Sequence, residues 1–296
     1  MHLRLAFSPC PNDTYIFDAL VHQRIDTEGL TFSVHLGDVE ELNQLAFAGE
    51  MDVTKLSYHA YGHLTKSYQL LNAGSALGRG VGPLLATSDT NWSRASRQST
   101  GLTIASQLLG KDKKSKGNWA PPAGAKVAIP GTYTTANYLL GLAFPGVETK
   151  EEVLFSDIEA RVLSGEFAAG LLIHENRFTY HERGLHKIAD LGEFWEAETG
   201  LPIPLGGIVI KKSLPKAVRE TFDRVLARSV QYAFDHPEAS AAYVAQHAQE
   251  MDAEVRKKHI ALYVNDFSLD LGKEGHAAVA AFLRQGRERG VLPVQS

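Results

Sequence analysis

The chain has 296 residues, 44% hydrophobic and 22% charged, with 34 acidic against 30 basic side chains and a formal net charge of -4. This ordinary composition excludes a disordered or fibrous chain, and the mild acidity argues against a nucleic-acid binder. The single cysteine, Cys10, excludes a disulfide framework and a multi-cysteine zinc site. Such a length suggests about two domains.

No stretch offers the ~18 uncharged apolar residues that a membrane span needs. The apolar run Leu3–Phe7 is soon interrupted by Pro9, Pro11 and Asp13, too early for a signal-peptide core. The sequence therefore predicts a cytoplasmic protein with no membrane partner.

Residues Leu3 to Phe7 read as a strand and Ser8 to Thr14 as a loop. Tyr15 to Val21 reads as a helix capped by Asn12, Asp13 or Thr14. A strand at Leu30–Leu36 follows, then a helix at Val39–Phe47 with Val39, Leu42, Leu45 and Ala46 on one face, ended by Gly49. Met51–Leu56 is a strand leading to Ser57, and Tyr58–Leu64 a short helix. The order recurs further along. Lys126–Ile129 is a strand, Pro130–Thr135 a loop and Ala136–Leu142 a helix; Ser156–Leu163 is helical, and Phe167–Ile173 is a buried strand leading to His174. Leu45–Met51 aligns with Arg161–Phe167 at a constant offset that sets Tyr58 opposite His174. The match fits two related lobes or two ordinary helix–strand connections equally well.

Alternation of strands and helices predicts an α/β chain with a mostly parallel sheet in each lobe. Gly206–Ile210 is a late strand, and four helical stretches close the chain, the first with Val218, Phe222, Val225, Leu226, Ser229 and Ala233 on one stripe. Packed back on the first lobe, they make it discontinuous: residues 1–87 with 207–296, against 88–206 for the second lobe, with crossover strands near 80–87 and 201–210. In such folds the ligand binds outside the carboxyl ends of the strands, here in the cleft between lobes. Residues 88–124 are polar, with six Lys or Arg against two Asp, and read as a solvated insertion rather than a docking patch for an acidic partner. A short helix is expected within it at Leu102–Leu109.

The loops after strands carry the candidate chemistry. Pro130–Thr135 places hydroxyl residues at a helix start, where exposed N–H groups favour an anion; the plain alternative is an N-cap. The Ser8–Asp13 loop has the same placement in the other lobe and is either a rigid ligand loop or a structural turn. Ser57 ends its strand as a cleft-wall donor or as an N-cap, and Lys55 either meets a carboxylate or points to solvent. No Gly-x-Ser-x-Gly elbow surrounds Ser57. His174 is delivered by the apolar run Phe167–Ile173 to a strand end, as a base near neutral pH or as a satisfied core histidine. Glu175 and Arg177 beside it orient a ligand or pair with ions. His59 and His63 lie four apart without the intervening Glu of a zincin, so a solvated helix face is expected and no metal. Gly78–Gly82 lacks the following helix of a phosphate loop and reads as a bulged crossover strand, with Arg79 still a candidate to face an anion. Cys10 near a helix start is either a reactive thiol or, the preferred reading, an inert one.

Five ordered blocks, Phe7–Thr14, Thr54–Tyr58, Ala76–Pro83, Ile173–Tyr180 and Tyr263–Asp270, together resemble the 1,4-dihydroxy-6-naphthoate synthase family of the futalosine route to menaquinone. The resemblance spans most of the chain; the 88–124 stretch departs from it, being longer than the family's link. It implies a two-lobed fold like that of type II periplasmic binding proteins. It also implies conversion of cyclic dehypoxanthine futalosine, a small carboxylated substrate, to 1,4-dihydroxy-6-naphthoate by carbon–carbon cleavage without cofactor or metal. By the same resemblance His174 is the general base, and Lys55, Leu56, Ser57, Thr135 and Ala136 bind substrate. The alternatives are chorismate dehydratase of the same pathway, a non-catalytic carboxylate-binding protein and a ligand sensor. Nothing in the sequence specifies an oligomeric state.

Overall fold

The computed structural model describes residues 1–89, 125–174, 176–249 and 252–294. Nearly all of the expected insertion, including its Leu102–Leu109 helix, and Glu175 lie outside the described residues. The strands are β1 (His2–Phe7), β2 (Thr31–Leu36), β3 (Val53–Ser57), β4 (Tyr68–Leu70), β5 (Ala76–Gly78), β6 (Leu84–Thr87), β7 (Val127–Ile129), β8 (Lys150–Glu152), β9 (Ala169–Leu172), β10 (His186–Asp190) and β11 (Ile203–Lys211). The helices are α1 (Pro11–Val21), α2 (Val39–Phe47), α3 (Tyr58–Leu64), α4 (Thr135–Ala143), α5 (Ile158–Leu163), α6 (Asn176–Thr179), α7 (Leu191–Thr199), α8 (Lys216–Asp235), α9 (Ala241–His247), α10 (Ala253–Tyr263), α11 (Asp266–Leu269) and α12 (Gly272–Glu288). The chain divides into two units, Met1–Gly78 with Tyr133–Thr135 and Pro204–Ser296, and Arg79–Thr132 with Ala136–Ile203.

In the first unit the strand order is β2-β1-β3-β11-β4, with β5 also paired to β11. β1 runs parallel to β2 and β3, whereas β11 runs antiparallel to β3 and β4. Leu3 and Leu5 of β1 are fully buried between exposed His2 and Arg4, and Phe7 stacks on Phe17 of α1 at 4.3 Å. The stripe read from the sequence seats α8 on α1: Phe222, Val225, Leu226 and Ala233 are buried. Ser229 on the same stripe donates to the Ile16 carbonyl at 2.6 Å and accepts from the Leu20 amide at 3.1 Å, so its polarity costs the core little.

The second unit has the order β10-β6-β9-β7-β8. β7 runs parallel to β8 and β9, while β6 runs antiparallel to β9 and β10. Matching β1, β2, β3, β11 and β4 to β7, β8, β9, β6 and β10 reproduces every pairing and direction among those five strands, β5 being extra to the first sheet. The two units therefore share one sheet topology. The repeated step behaves alike in both: Gly49 (φ 67°) and Gly165 (φ 81°) take the left-handed conformation that stops α2 and α5 before the next strand.

Five expectations are corrected. The sheets are mixed, because β11 and β6 run against the parallel strands beside them. Residues 84–87 belong to the second sheet, since β6 bonds β9 and β10. α1 begins at Pro11 with Cys10 as its N-cap and no side-chain cap; proline needs no amide partner at a helix start, so the turn forms earlier than Asn12 or Asp13 would set it. Residues 79–83 are a connection and not a bulged strand, and a one-turn helix, α11, adds to the four closing helices.

Candidate active site

Four of the segments singled out in the sequence lie at or just beyond the carboxyl end of a parallel strand: Ser8–Asp13 after β1, Ser57 at the end of β3, Pro130–Thr135 after β7 and His174 after β9.

In the first unit, Asp13 is almost fully buried. Its carboxylate accepts from the Ser8 backbone amide (3.2 Å), the Ser8 hydroxyl (2.7 Å) and Asn12 Nδ2 (2.8 Å), and forms an ion pair with the ammonium of Lys55, a buried residue. Asn12 in turn faces the buried His259 ring at 2.9 Å. Lys55 is therefore turned inward, and its closest carboxylate belongs to the protein. Leu56 packs its side chain among Ala46, Leu64, Tyr68 and Val209, which leaves only its backbone for a ligand. Ser57 is the N-cap residue of α3 but makes no side-chain cap; its amide donates to Asn43 Oδ1 at 3.1 Å.

Thr135 opens α4, and its hydroxyl donates to the Leu205 carbonyl at 2.7 Å. That proton is committed, so an anion at this turn meets backbone N–H groups instead of the Thr135 hydroxyl. Leu205 precedes Gly206, which pairs with Ser57 across the ladder. A Cβ at Gly206 would lie 2.9 Å from the Leu56 carbonyl oxygen, which accounts for glycine there. The first unit thus places Ser57 and Thr135 at the same end of the β3–β11 ladder.

His59 and His63 depart from the expected solvated face. His59 is 6% exposed, and both rings pack against Tyr133, at 6.1 and 5.6 Å between centroids, while Tyr133 also meets Phe47 at 4.5 Å. Burial pushes the His63 pKa below its ordinary value. Among the described residues no three His, Cys, Asp or Glu side chains gather as a metal site, and no helix is long and apolar enough to cross a membrane.

In the second unit, His174 is half-buried, with its ring edge-on to Phe155 at 4.9 Å. Its φ of 56° is left-handed, a conformation costing a residue with a Cβ about 1–2 kcal/mol. Such strain concentrates where a side chain must be held at one angle. The turn is buttressed by Arg177, whose amide donates to the His174 carbonyl at 3.3 Å and whose guanidinium holds Asp190 at 2.6 Å and the Gly82 carbonyl. Arg177 is thus an ion-pairing anchor. Gly82 passes so close to Gly192 that a Cβ would lie 2.1 Å from the Gly192 nitrogen. Arg79 donates to the Gly200 carbonyl at 3.0 Å. Tyr58, at the position in the first unit that corresponds to His174, points its hydroxyl into the core against Ser75 at 2.8 Å, and burial drives its pKa far upward. Where the first strand end carries this buried phenol, the second carries the half-buried His174 imidazole.

Asn43, Glu40 and His259 were not singled out by sequence reading. Asn43 had a signal: it sits on the inward stripe of α2 with Leu42 and Ala46, fully buried where an apolar residue is ordinary.

Solved structures place this architecture in a class. The crystal structure of protein AF1704 from Archaeoglobus fulgidus matches with TM-score 0.82 and 32% identity over 98% of both chains. A Candida albicans gene product described as having the generic periplasmic binding protein fold matches with TM-score 0.66 and 12% identity, over 100% of this chain and 92% of that one. The fold is thus periplasmic-binding-protein-like. A family model described as menaquinone biosynthesis matches residues 3–288. Relatives named 1,4-dihydroxy-6-naphthoate synthase are 42% identical over 289 residues in Thermus thermophilus and 40% over 296 residues in Streptomyces coelicolor, each match covering 98% of this chain and 95% of the relative. The chain belongs to the menaquinone biosynthesis family, among its 1,4-dihydroxy-6-naphthoate synthases.

Proposed function

We propose that this enzyme of menaquinone biosynthesis is a carbon–carbon lyase that converts cyclic dehypoxanthine futalosine to 1,4-dihydroxy-6-naphthoate, with His174 as general base. The observation that carries the reading is the strained, half-buried imidazole at the end of β9, in a chain whose relatives bear the synthase name. Neutral His174 removes a proton from a sugar hydroxyl or an acidic C–H of the substrate. Retro-aldol cleavage then releases a small fragment and leaves an aromatic ring, which makes the process downhill. The backbone N–H groups at Thr135 and Ala136 hold the substrate carboxylate. The strand end at Lys55, Leu56 and Ser57 supplies the remaining contacts, with Lys55 set in place by Asp13. General-base help of this kind is worth about 10²–10⁴ in rate.

The test is a direct assay with cyclic dehypoxanthine futalosine in the presence of EDTA, wild type against His174→Ala, with chorismate in parallel. Turnover without added metal or nucleotide is expected, with near-total loss in the variant and binding of 1,4-dihydroxy-6-naphthoate retained. A variant that keeps most of its rate refutes the base assignment. Binding without turnover by the wild type favours a carboxylate-binding protein, and turnover of chorismate alone favours the dehydratase.

A further inference from the structure

One pair of side chains on α2 joins two segments of the candidate site. The Ser57 amide donates to Asn43 Oδ1 at 3.1 Å. Asn43 Nδ2 donates to Glu40 Oε2 at 3.1 Å, and the same oxygen accepts the Tyr133 amide at 3.2 Å. Two residues on, the Thr135 hydroxyl reaches the Leu205 carbonyl, and the neighbouring Gly206 returns across the ladder to Ser57. The bonds close a ring: Ser57, Asn43, Glu40, Tyr133, Thr135, Leu205, Gly206 and back. Asn43 is fully buried, and its amide is satisfied on both sides. A buried polar group so completely used fixes geometry more than it adds stability.

We propose that Glu40 and Asn43 are positioning residues, which hold the Tyr133–Thr135 turn at a set distance from the β3 end so that both meet one carboxylated ligand. The inference rests on the function proposed above for the ligand's identity. Glu40 touches no reacting atom in this scheme. Its loss loosens a contact made equally in the ground and transition states, so it raises KM and leaves kcat alone. Charge and geometry are separable. Glu40→Gln removes the charge but keeps an oxygen for Tyr133 and Asn43, and the exposed Gln44 amide, now 3.0 Å from Glu40 Oε1, can turn to suit the new NH₂. Glu40→Ala removes the tie itself.

The experiment measures kcat and KM for cyclic dehypoxanthine futalosine in wild type, Glu40→Ala and Glu40→Gln, alongside amide hydrogen exchange of Tyr133 in the ligand-free proteins. The expected result is a KM raised about tenfold in Glu40→Ala with kcat within about twofold, and near-wild-type constants in Glu40→Gln. Tyr133 should lose protection in the alanine variant and keep it in the glutamine variant. An unchanged KM in Glu40→Ala, equal damage in both variants, or unaltered Tyr133 protection overturns the proposal. If the wild type turns over nothing, the functional reading falls, and the exchange measurement still decides whether Glu40 holds the turn.

Discussion

Asp13 offers the sharpest test of how the first unit is held. Its carboxylate, 1% exposed, takes three hydrogen bonds and the Lys55 ammonium. Asp13→Ala strands the cation of a lysine whose side chain is only 11% exposed, together with the Ser8 and Asn12 donors. Removing one partner of a buried pair costs about 3–5 kcal/mol, chiefly because the other charge stays desolvated. At about 2–4 °C per kcal/mol for a domain of this size, the melting temperature should fall by about 6–20 °C. The double variant Asp13→Leu/Lys55→Met removes both charges and should recover most of that loss. Urea denaturation followed by far-UV circular dichroism reads both, provided the slope m is unchanged. A loss below about 1 kcal/mol in Asp13→Ala would place the pair in the class of solvated surface bridges and refute the reasoning.

Three further outcomes are expected. Both His174→Gly and His174→Ala should lack activity, but glycine relieves the left-handed strain, so its variant should be the more stable by about 1 kcal/mol in the same urea assay; equal stability would mean that the turn carries no strain. His63 has its pKa depressed by burial below 6.5, so its folded form resists protonation. Its contribution is present above pH 6.5 and lost as pH falls below it, and His63→Gln should gain on wild type as pH drops below about 6.5; parallel stability curves would count against a partly buried ring. Gly82→Ala must push the β5–β6 connection off Gly192 and disturb the carbonyl that Arg177 holds, at a cost of about 1–3 kcal/mol, measurable as a lower urea midpoint.

The sequence made much of this legible, for reasons that differ by residue. The bounds of α2 and α3 are readable because Val39, Leu42 and Ala46 repeat at helical spacing and because Gly49 and Ser57 mark the joins. The repeat at Leu45 and Arg161 pointed to the shared topology, and the pairing directions make that case in the structure. Mixed sheet direction was not legible, because β11 and β6 look like any other apolar strand and only tertiary pairing sets their sense. Strands of three residues such as β4, β5 and β8 carry too little pattern to stand out. The strand-end positions of Ser57 and His174 could be read, whereas the partners of Lys55 and Ser57 could not. Asp13 and Asn43 reach them from 42 and 14 residues away, and periodicity carries no such information.

The exchange of strands between the halves has a consequence for how the chain is made. β11 lies between β3 and β4, so the sheet that starts with residue 2 waits for residues 203–211 before its middle is filled. At about 5–20 residues per second, a ribosome takes roughly 6–30 s to travel from β4 to β11. Throughout that interval the nascent chain displays β3 with one side unzipped, the kind of edge that recruits stray strands. The later half, whose strands all precede β11, can close first, and a chaperone that shields the unfinished beginning would have its work concentrated in those seconds.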